Sequence, residues 1–205
     1  LVRSRGLGDV YKRQLYIICA FIGSIIFITG FSLLVELIDR TLRDAYRSRR
    51  LTGLPVIAAF NGTNNLKYRG FLKACNRRAA AYACQQINGY LQPNRATIIN
   101  LLSIEEREGK SFLAKYFAQY WESEGLHVRI VNHDIDFEKE SKSYVQAQQL
   151  SDFWQLNDAE QQPDIILVEY PALCHYDVPE KVLAESDFNL LVANAARLWS
   201  EKDNA

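Results

Sequence analysis

The stretch that most restricts this chain is LYIICAFIGSIIFITGFSLLV, Leu15 to Val35, 21 residues without a charge. At about 1.5 Å of rise per residue, a helix of that length reaches roughly 30 Å, the thickness of a bilayer's hydrocarbon core. A buried core helix and the apolar part of a signal peptide are the other readings of such a run. A signal peptide has a shorter apolar region, followed by a small-residue cleavage site. Here the run continues into ELIDRTLRDAYRSRR. One transmembrane helix over 15–35 is therefore expected. Arg40, Arg43, Arg47, Arg49 and Arg50 follow it, and basic residues beside a span mark the cytoplasmic side. Everything after Val35 is expected to be cytoplasmic. The arginines alone would also suit a solvated helix face, which is compatible with this topology.

The chain contains no Met, so its true beginning is expected to lie upstream. Its opening, LVRSRGLGDVYKRQ (1–14), has no periodic apolar pattern and resembles a translated sequencing adaptor. Residues 1–14 are set aside as an artefact or disordered tail. If genuine, they form a basic juxtamembrane tail that weakens the charge asymmetry across the span. Formal net charge is zero, so no global field favours nucleic acid as a partner. Cys19, Cys75, Cys84 and Cys174 show no CxxC pair or zinc spacing, which fits four reduced thiols. His127, His133 and His175 are too scattered to suggest a metal cluster.

Beyond the span, residues 36–66 read as a juxtamembrane helix and linker, broken by Gly53 and Pro55 in LTGLPV. NGTNN (61–65) reads as a loop. The Ala-rich stretch Lys67–Leu91 predicts a helix ending near Gly89. The pattern then changes. TIINLL, HVRIVN, DIILVE and FNLLVA are short apolar runs suited to buried strands, beginning at Thr97, His127, Asp164 and Phe188. Helices are predicted between them over Lys110–Gly125 and Ser143–Leu156. Strands alternating with helices imply an α/β fold with a mostly parallel sheet covered on both faces.

TIINLLSIEEREGKSFLA places Gly109-Lys110-Ser111 between a strand and a helix. That is the order of a phosphate-binding loop: backbone N–H groups and the helix N-terminus bind phosphates, the Lys reaches the terminal ones, and the hydroxyl ligates Mg2+. VNHDID and LVEYPA end the next two strands with acidic residues, where a parallel sheet gathers its ligand crevice. Asp134 and Glu169 are the candidate catalytic residues. Gly109, Lys110, Ser111 and Asn132 are the candidates for holding ATP. Ser111, Asp134 and Glu169 are the candidates for Mg2+. The plainer reading leaves Asp134 and Glu169 as caps or solvated loop residues.

With these motifs in place, the chain resembles the C-terminal part of a polysaccharide co-polymerase fused to a bacterial tyrosine kinase domain related to the MinD/ParA ATPases. The junction VELIDRTLRDAYRSRRLTGLPV carries the resemblance most specifically, and it extends from about Phe21 to Asp203. It implies a P-loop domain over 67–205, cut short at its C-terminus. It also implies a bacterial inner-membrane location, homo-oligomers, and a polysaccharide polymerase or export machinery as partner. Carried over residue by residue, Glu108, Gly109, Lys110 and Ser111 fit the family's loop. Ile104 and Arg107 stand where small residues or Gly are usual. Asn132 stands at the first Asp of the second strand's motif and Asp134 at its second. Glu169 replaces the Walker B Asp, and Ala172 replaces its second Pro. Arg69, Arg77 and Arg78 echo a ring-assembly helix without its Glu. No terminal tyrosine cluster is present.

The departures have physical weight. Ile104 and Arg107 disfavour the positive φ that Gly allows. Glu105 and Glu106, unless turned outward, repel a triphosphate. Asn132 cannot act as an anionic ligand or proton acceptor. The expectation is a membrane-anchored regulator of exopolysaccharide, capsule or O-antigen chain length or export, with a degenerate ATP and Mg2+ site and weak or no kinase activity. The alternatives are an active tyrosine autokinase of the same pathway and a membrane-tethered MinD/ParA-like ATPase.

Overall fold

An uninterrupted apolar run has no reason to leave helical geometry until polar residues offer the backbone other partners. The computed structural model describes residues 3–62, 66–92, 95–156, 162–200 and 203. Its first helix, α1 (Arg3–Ile38), contains the whole charge-free run. Lys12–Ile38 is long and apolar enough to cross a membrane. The helix starts at Arg3, so residues 3–14, expected outside the fold, continue it. It stops where Asp39 accepts the Thr41 N–H at 2.9 Å, a side chain competing with the helical ladder. The juxtamembrane helix expected within residues 36–66 is therefore interrupted. Asp44 starts a second one, α2 (Ala45–Thr52), by accepting the Arg47 N–H. Gly53, at φ 73°, closes α2 in the left-handed conformation, and Pro55 follows.

The chain divides into two compact units, Leu1–Thr41 and Leu42–Ala205. The segment before Lys67, expected as linker, thus belongs largely to the second unit. Ile57, Ala58 and Phe60 pack against the core. Asn76, fully buried on α3 (Arg69–Asn88), accepts the Asn61 N–H and donates to the Asn61 carbonyl, both at 2.8 Å. Residues 63–65 of the NGTNN loop lie outside the described residues.

Among the described residues, four parallel strands follow in the spatial order β2-β3-β1-β4: β1 (Thr97–Ser103), β2 (Val128–Asn132), β3 (Ile165–Ala172) and β4 (Phe188–Leu191). Period-two alternation sends Ile99, Leu101, Ile165 and Leu167 to one face, under α3 and α4 (Lys110–Ser123). Ile166, Val168, Tyr170 and Val131 point to the other. The helix predicted over Ser143–Leu156 is not there. Only α5 (Lys142–Val145) and a 3-10 turn (Leu150–Asp152) form, with a further short helix α6 (Glu180–Glu185) before β4. Asp152 explains the break, because its carboxylate accepts the Gln148 and Gln149 N–H groups and diverts them from an α-helical ladder.

β3 also runs further than expected. Glu169 is inside the strand, opposite Leu101 on β1 and Asn132 on β2. The register with β1 slips between Leu101 and Ser103, leaving an extra residue on β3 beside Pro171, which has no N–H for the ladder. Pairing resumes beyond it: Leu173 N–H reaches the Ser103 carbonyl at 2.9 Å and Cys174 N–H the Ile104 carbonyl at 3.0 Å.

Candidate functional site

β1 ends at the buried Ser103, and the chain turns through Ile104–Gly109 into α4. Two left-handed residues make the turn, Arg107 at φ 61° and Gly109 at φ 103°. Arg107 thus takes a conformation that disfavours it by about 1 kcal/mol relative to Gly. Something must hold the loop, and Glu108 does so from within. Its side chain is 4% exposed. One carboxylate oxygen accepts the N–H groups of Ile104 and Glu105, each at 3.1 Å. The other meets the Arg197 guanidinium at 3.2 Å. Arg197 also pairs with Asp203 at 2.6 Å and with Glu105 at 3.5 Å. Of the loop carboxylates, Glu108 and Glu105 are therefore compensated, while Glu106 is exposed.

Lys110 opens α4 and is 9% exposed. Its ammonium donates to Ser103 Oγ at 2.5 Å, and Ser103 Oγ donates to the Glu105 carbonyl at 2.7 Å. Burial holds the Lys110 ammonium below its ordinary pKa, against the opposing pull of Glu169, Glu108, Glu106 and Asp134. The next residue, Ser111, donates its hydroxyl to Glu169 Oε2 at 2.5 Å. Asn132 Nδ2 donates to the same oxygen at 3.3 Å. Glu169 is 2% exposed, and these two donors are what meet its charge at short range.

Gly109, Lys110, Ser111, Asn132 and Glu169 thus share one cluster where β1, β2 and β3 meet α4. Asp134 lies at its edge. Its side chain is 68% exposed and contacts His133 Nε2 at 3.3 Å, while its N–H is taken by Asn132 Oδ1 at 2.8 Å. His133 is held in turn by the Glu169 carbonyl, which accepts its backbone N–H at 3.2 Å and contacts its Nδ1 at 3.2 Å. Among the described residues, no group of three His, Cys, Asp or Glu side chains is arranged to hold a metal. The Ser111 hydroxyl and the Glu169 carboxylate are hard oxygen donors. That set suits Mg2+, which takes one or two protein oxygens and completes its shell with water and phosphate. A groove of about 600 Å³ opens elsewhere, beside Ile98, Trp154 and Ile166, and shares no residue with this cluster.

The Lys-Ser pair and the two acidic motifs singled out in the sequence meet at this cluster, whereas Ser103, His133 and Arg197, which also take part in it, were not singled out. Arg197 is 89 residues from its partner Glu108, and nothing local to ANAARLW marks it. A buried acid inside a tight turn was the available signal, because such a charge requires a partner.

A parallel sheet whose inner strand feeds a Gly-Lys-Ser turn and then a helix is an α/β fold of the P-loop NTPase kind, here with one apolar helix in front of it. No family model matches the chain, and no curated protein sequence matches it. Among solved structures, it is similar to a chain described as a possible uridine kinase from Bacillus stearothermophilus. Identity is 16%, the match covers 64% of this chain and 90% of that one, and the TM-score is 0.41.

Proposed function

We propose that this chain is a membrane-anchored protein whose domain binds ATP with Mg2+ but transfers phosphate weakly or not at all. The cluster of Lys110, Ser111, Asn132 and Glu169 carries this reading. Lys110 is poised to leave Ser103 for the terminal phosphates, and Ser111 with Glu169 would hold the metal. Mg2+ would offset charge on the phosphate oxygens and fix their position. Asn132 supplies an amide where phosphoryl transfer calls for an anionic group, so the orienting base is missing. Glu108 and Arg197 keep the loop shaped for binding all the same. Binding retained without efficient chemistry suits a regulator better than a catalyst.

The charge-free helix and the basic junction after it support anchoring in a bacterial inner membrane with the domain on the cytoplasmic side. The resemblance of Val35–Val56 to polysaccharide co-polymerases supports a role in exopolysaccharide, capsule or O-antigen chain length or export. The domain would act there as an oligomerising or coupling element for the polymerase.

The test is the ATP–Mg2+ affinity of the purified chain in detergent, with and without Lys110→Ala. The expected loss is about tenfold or more, as for a charge-assisted bond to phosphate. Absence of binding in both proteins sinks the nucleotide reading. Efficient incorporation of phosphate on tyrosine by the purified chain sinks the claim of weak transfer and leaves an active autokinase.

A further inference from the structure

The net charge of zero hides a steep division along the chain. Residues 40–92 hold ten Lys and Arg against Asp44 alone, a net of +9. Residues 93–205 hold ten against twenty acids, a net of −10. The positive block is more than a flank of the apolar helix. It continues into the folded unit on α3, a 20-residue helix without a single Asp or Glu. The second half of α3 faces the core through Ala80, Ala83, Cys84 and Ile87. The first half presents Arg69, Lys73 and Arg77 at spacings of four, all exposed. A second exposed row holds Phe71, Arg78 and Tyr82, with Phe71 70% and Tyr82 61% exposed. Among the described residues, no carboxylate pairs with Arg69, Lys73, Arg77 or Arg78.

Exposed arginines and lysines interleaved with large aromatic rings suit a bilayer's interfacial zone, where rings sit at headgroup depth and cations meet anionic lipid. We propose that this face of α3 docks on anionic phospholipid headgroups of the membrane that the chain spans. The proposal rests on the membrane-anchored reading above. Only 30 residues separate Ile38 from Arg69, so the tether keeps the local lipid concentration high. The acidic part of the chain is repelled by the same surface. Such a surface therefore draws the basic face of α3 in preference to the acidic residues of the chain. Nucleic acid would also attract the cations. The exposed aromatic rings, and an apolar helix on the same chain, favour lipid.

The test reconstitutes the full chain in nanodiscs of phosphatidylcholine alone, or with about one third phosphatidylserine, each carrying a trace of dansyl lipid. Energy transfer from the three tryptophans, all beyond residue 93, reports how close the domain lies to the bilayer. Transfer is expected to be higher in the serine-lipid discs and to fall as salt rises from about 0.05 to about 0.5 M. In the variant Arg69→Gln/Lys73→Gln/Arg77→Gln/Arg78→Gln, the docked fraction relative to the undocked should drop about fivefold for each charge removed. The lipid-dependent rise then vanishes while the circular dichroism stays that of the parent.

Equal transfer in both disc types overturns the proposal, as does a rise that survives in the variant. So does a rise abolished by added RNA, or one that scales with the number of chains per disc; these assign the face to nucleic acid or to a second copy. A misfolded variant leaves the salt titration of the parent chain as the decisive measurement. Failure to co-elute with neutral discs sinks the membrane span itself, a result separate from loss of docking.

Discussion

On one face of the sheet, α3 and α4 lay helices of 20 and 14 residues across Ile99, Leu101, Ile165 and Leu167. On the other, no helix between β2 and β4 exceeds six residues among the described ones, and four aromatic rings take over. Phe137 stands 4.8 Å from Phe153, 5.4 Å from Tyr144 and 6.2 Å from Tyr170, centroid to centroid. The helical face is held by repeating positions: Ala80, Ala83, Cys84 and Ile87 on α3, and Ala114, Phe117, Ala118 and Trp121 on α4. The aromatic face is held by residues scattered over more than thirty positions that meet only once folded. A periodic face is stiff along its whole length, because each turn of helix repeats the contact. A clustered face depends on a few rings, so it should open locally before the rest of the domain.

Trp121→Ala should have the largest effect on that contrast. Trp121 is fully buried, and its indole N–H donates to Asn88 Oδ1 at 2.7 Å, tying α4 to α3. The expected loss is about 3–5 kcal/mol in urea unfolding, felt on both faces. Phe137→Ala should fall at the low end of that range, about 3 kcal/mol, and should act locally. Hydrogen exchange is expected to quicken over residues 133–153 while α4 stays protected. If both substitutions deprotect both faces alike, the distinction between the faces fails.

Tyr170→Phe comes next. The Tyr170 hydroxyl is buried and has no hydrogen-bond partner among the described residues. Removing it should leave stability unchanged or raise it by about 1 kcal/mol, measured by denaturation midpoint. A clear loss would mean that the ring cluster uses this hydroxyl.

The smallest effect should be the pH dependence introduced by Lys110, the buried charge at the start of α4. Its folded pKa lies below the ordinary 10.5, so the unfolded chain binds the proton more tightly. Stability contributed by this group therefore rises with pH through the window between its folded pKa and 10.5, and below that window the charge is a cost. Lys110→Met should be the more stable protein near neutrality, with the difference shrinking as pH approaches 10.5. A difference that grows with pH would mean that the nearby carboxylates outweigh burial.

What could be read in the sequence follows the same division. The β1 and β3 runs, α3 and α4 announce themselves through continuous apolar or Ala-rich stretches and through stops at Gly89 and Gly125. The loop and its Lys-Ser pair are equally visible, because Gly109-Lys110-Ser111 is a short motif standing between an apolar strand run and a helix run. The segment 143–156 misleads. Its apolar residues imitate a helix, yet Asp152 captures two backbone N–H groups and the aromatic rings serve the cluster instead. Glu169 shows the limit at the site. An acid at the end of an apolar run was visible, whereas the bulge beside Pro171 that leaves it inside the strand, under Ser111, was not. Asp134 was expected at the metal and Asn132 at the nucleotide. Folding makes Asn132 the bridge to Glu169 and leaves Asp134 facing solvent.

The bond between Glu108 and Arg197 has a bearing on synthesis. The loop leaves the ribosome long before the arginine that steadies it. At about 5–20 residues per second the interval is several seconds or more. During that time Glu108 has no guanidinium to meet, so the turn around Arg107 has less to hold it in its left-handed conformation. A chain interrupted anywhere between Ser111 and Arg197 would carry every residue of the Gly-Lys-Ser motif and still lack the partner that steadies the loop. The settled shape of this loop would thus be acquired late, as a property of translation having passed β4.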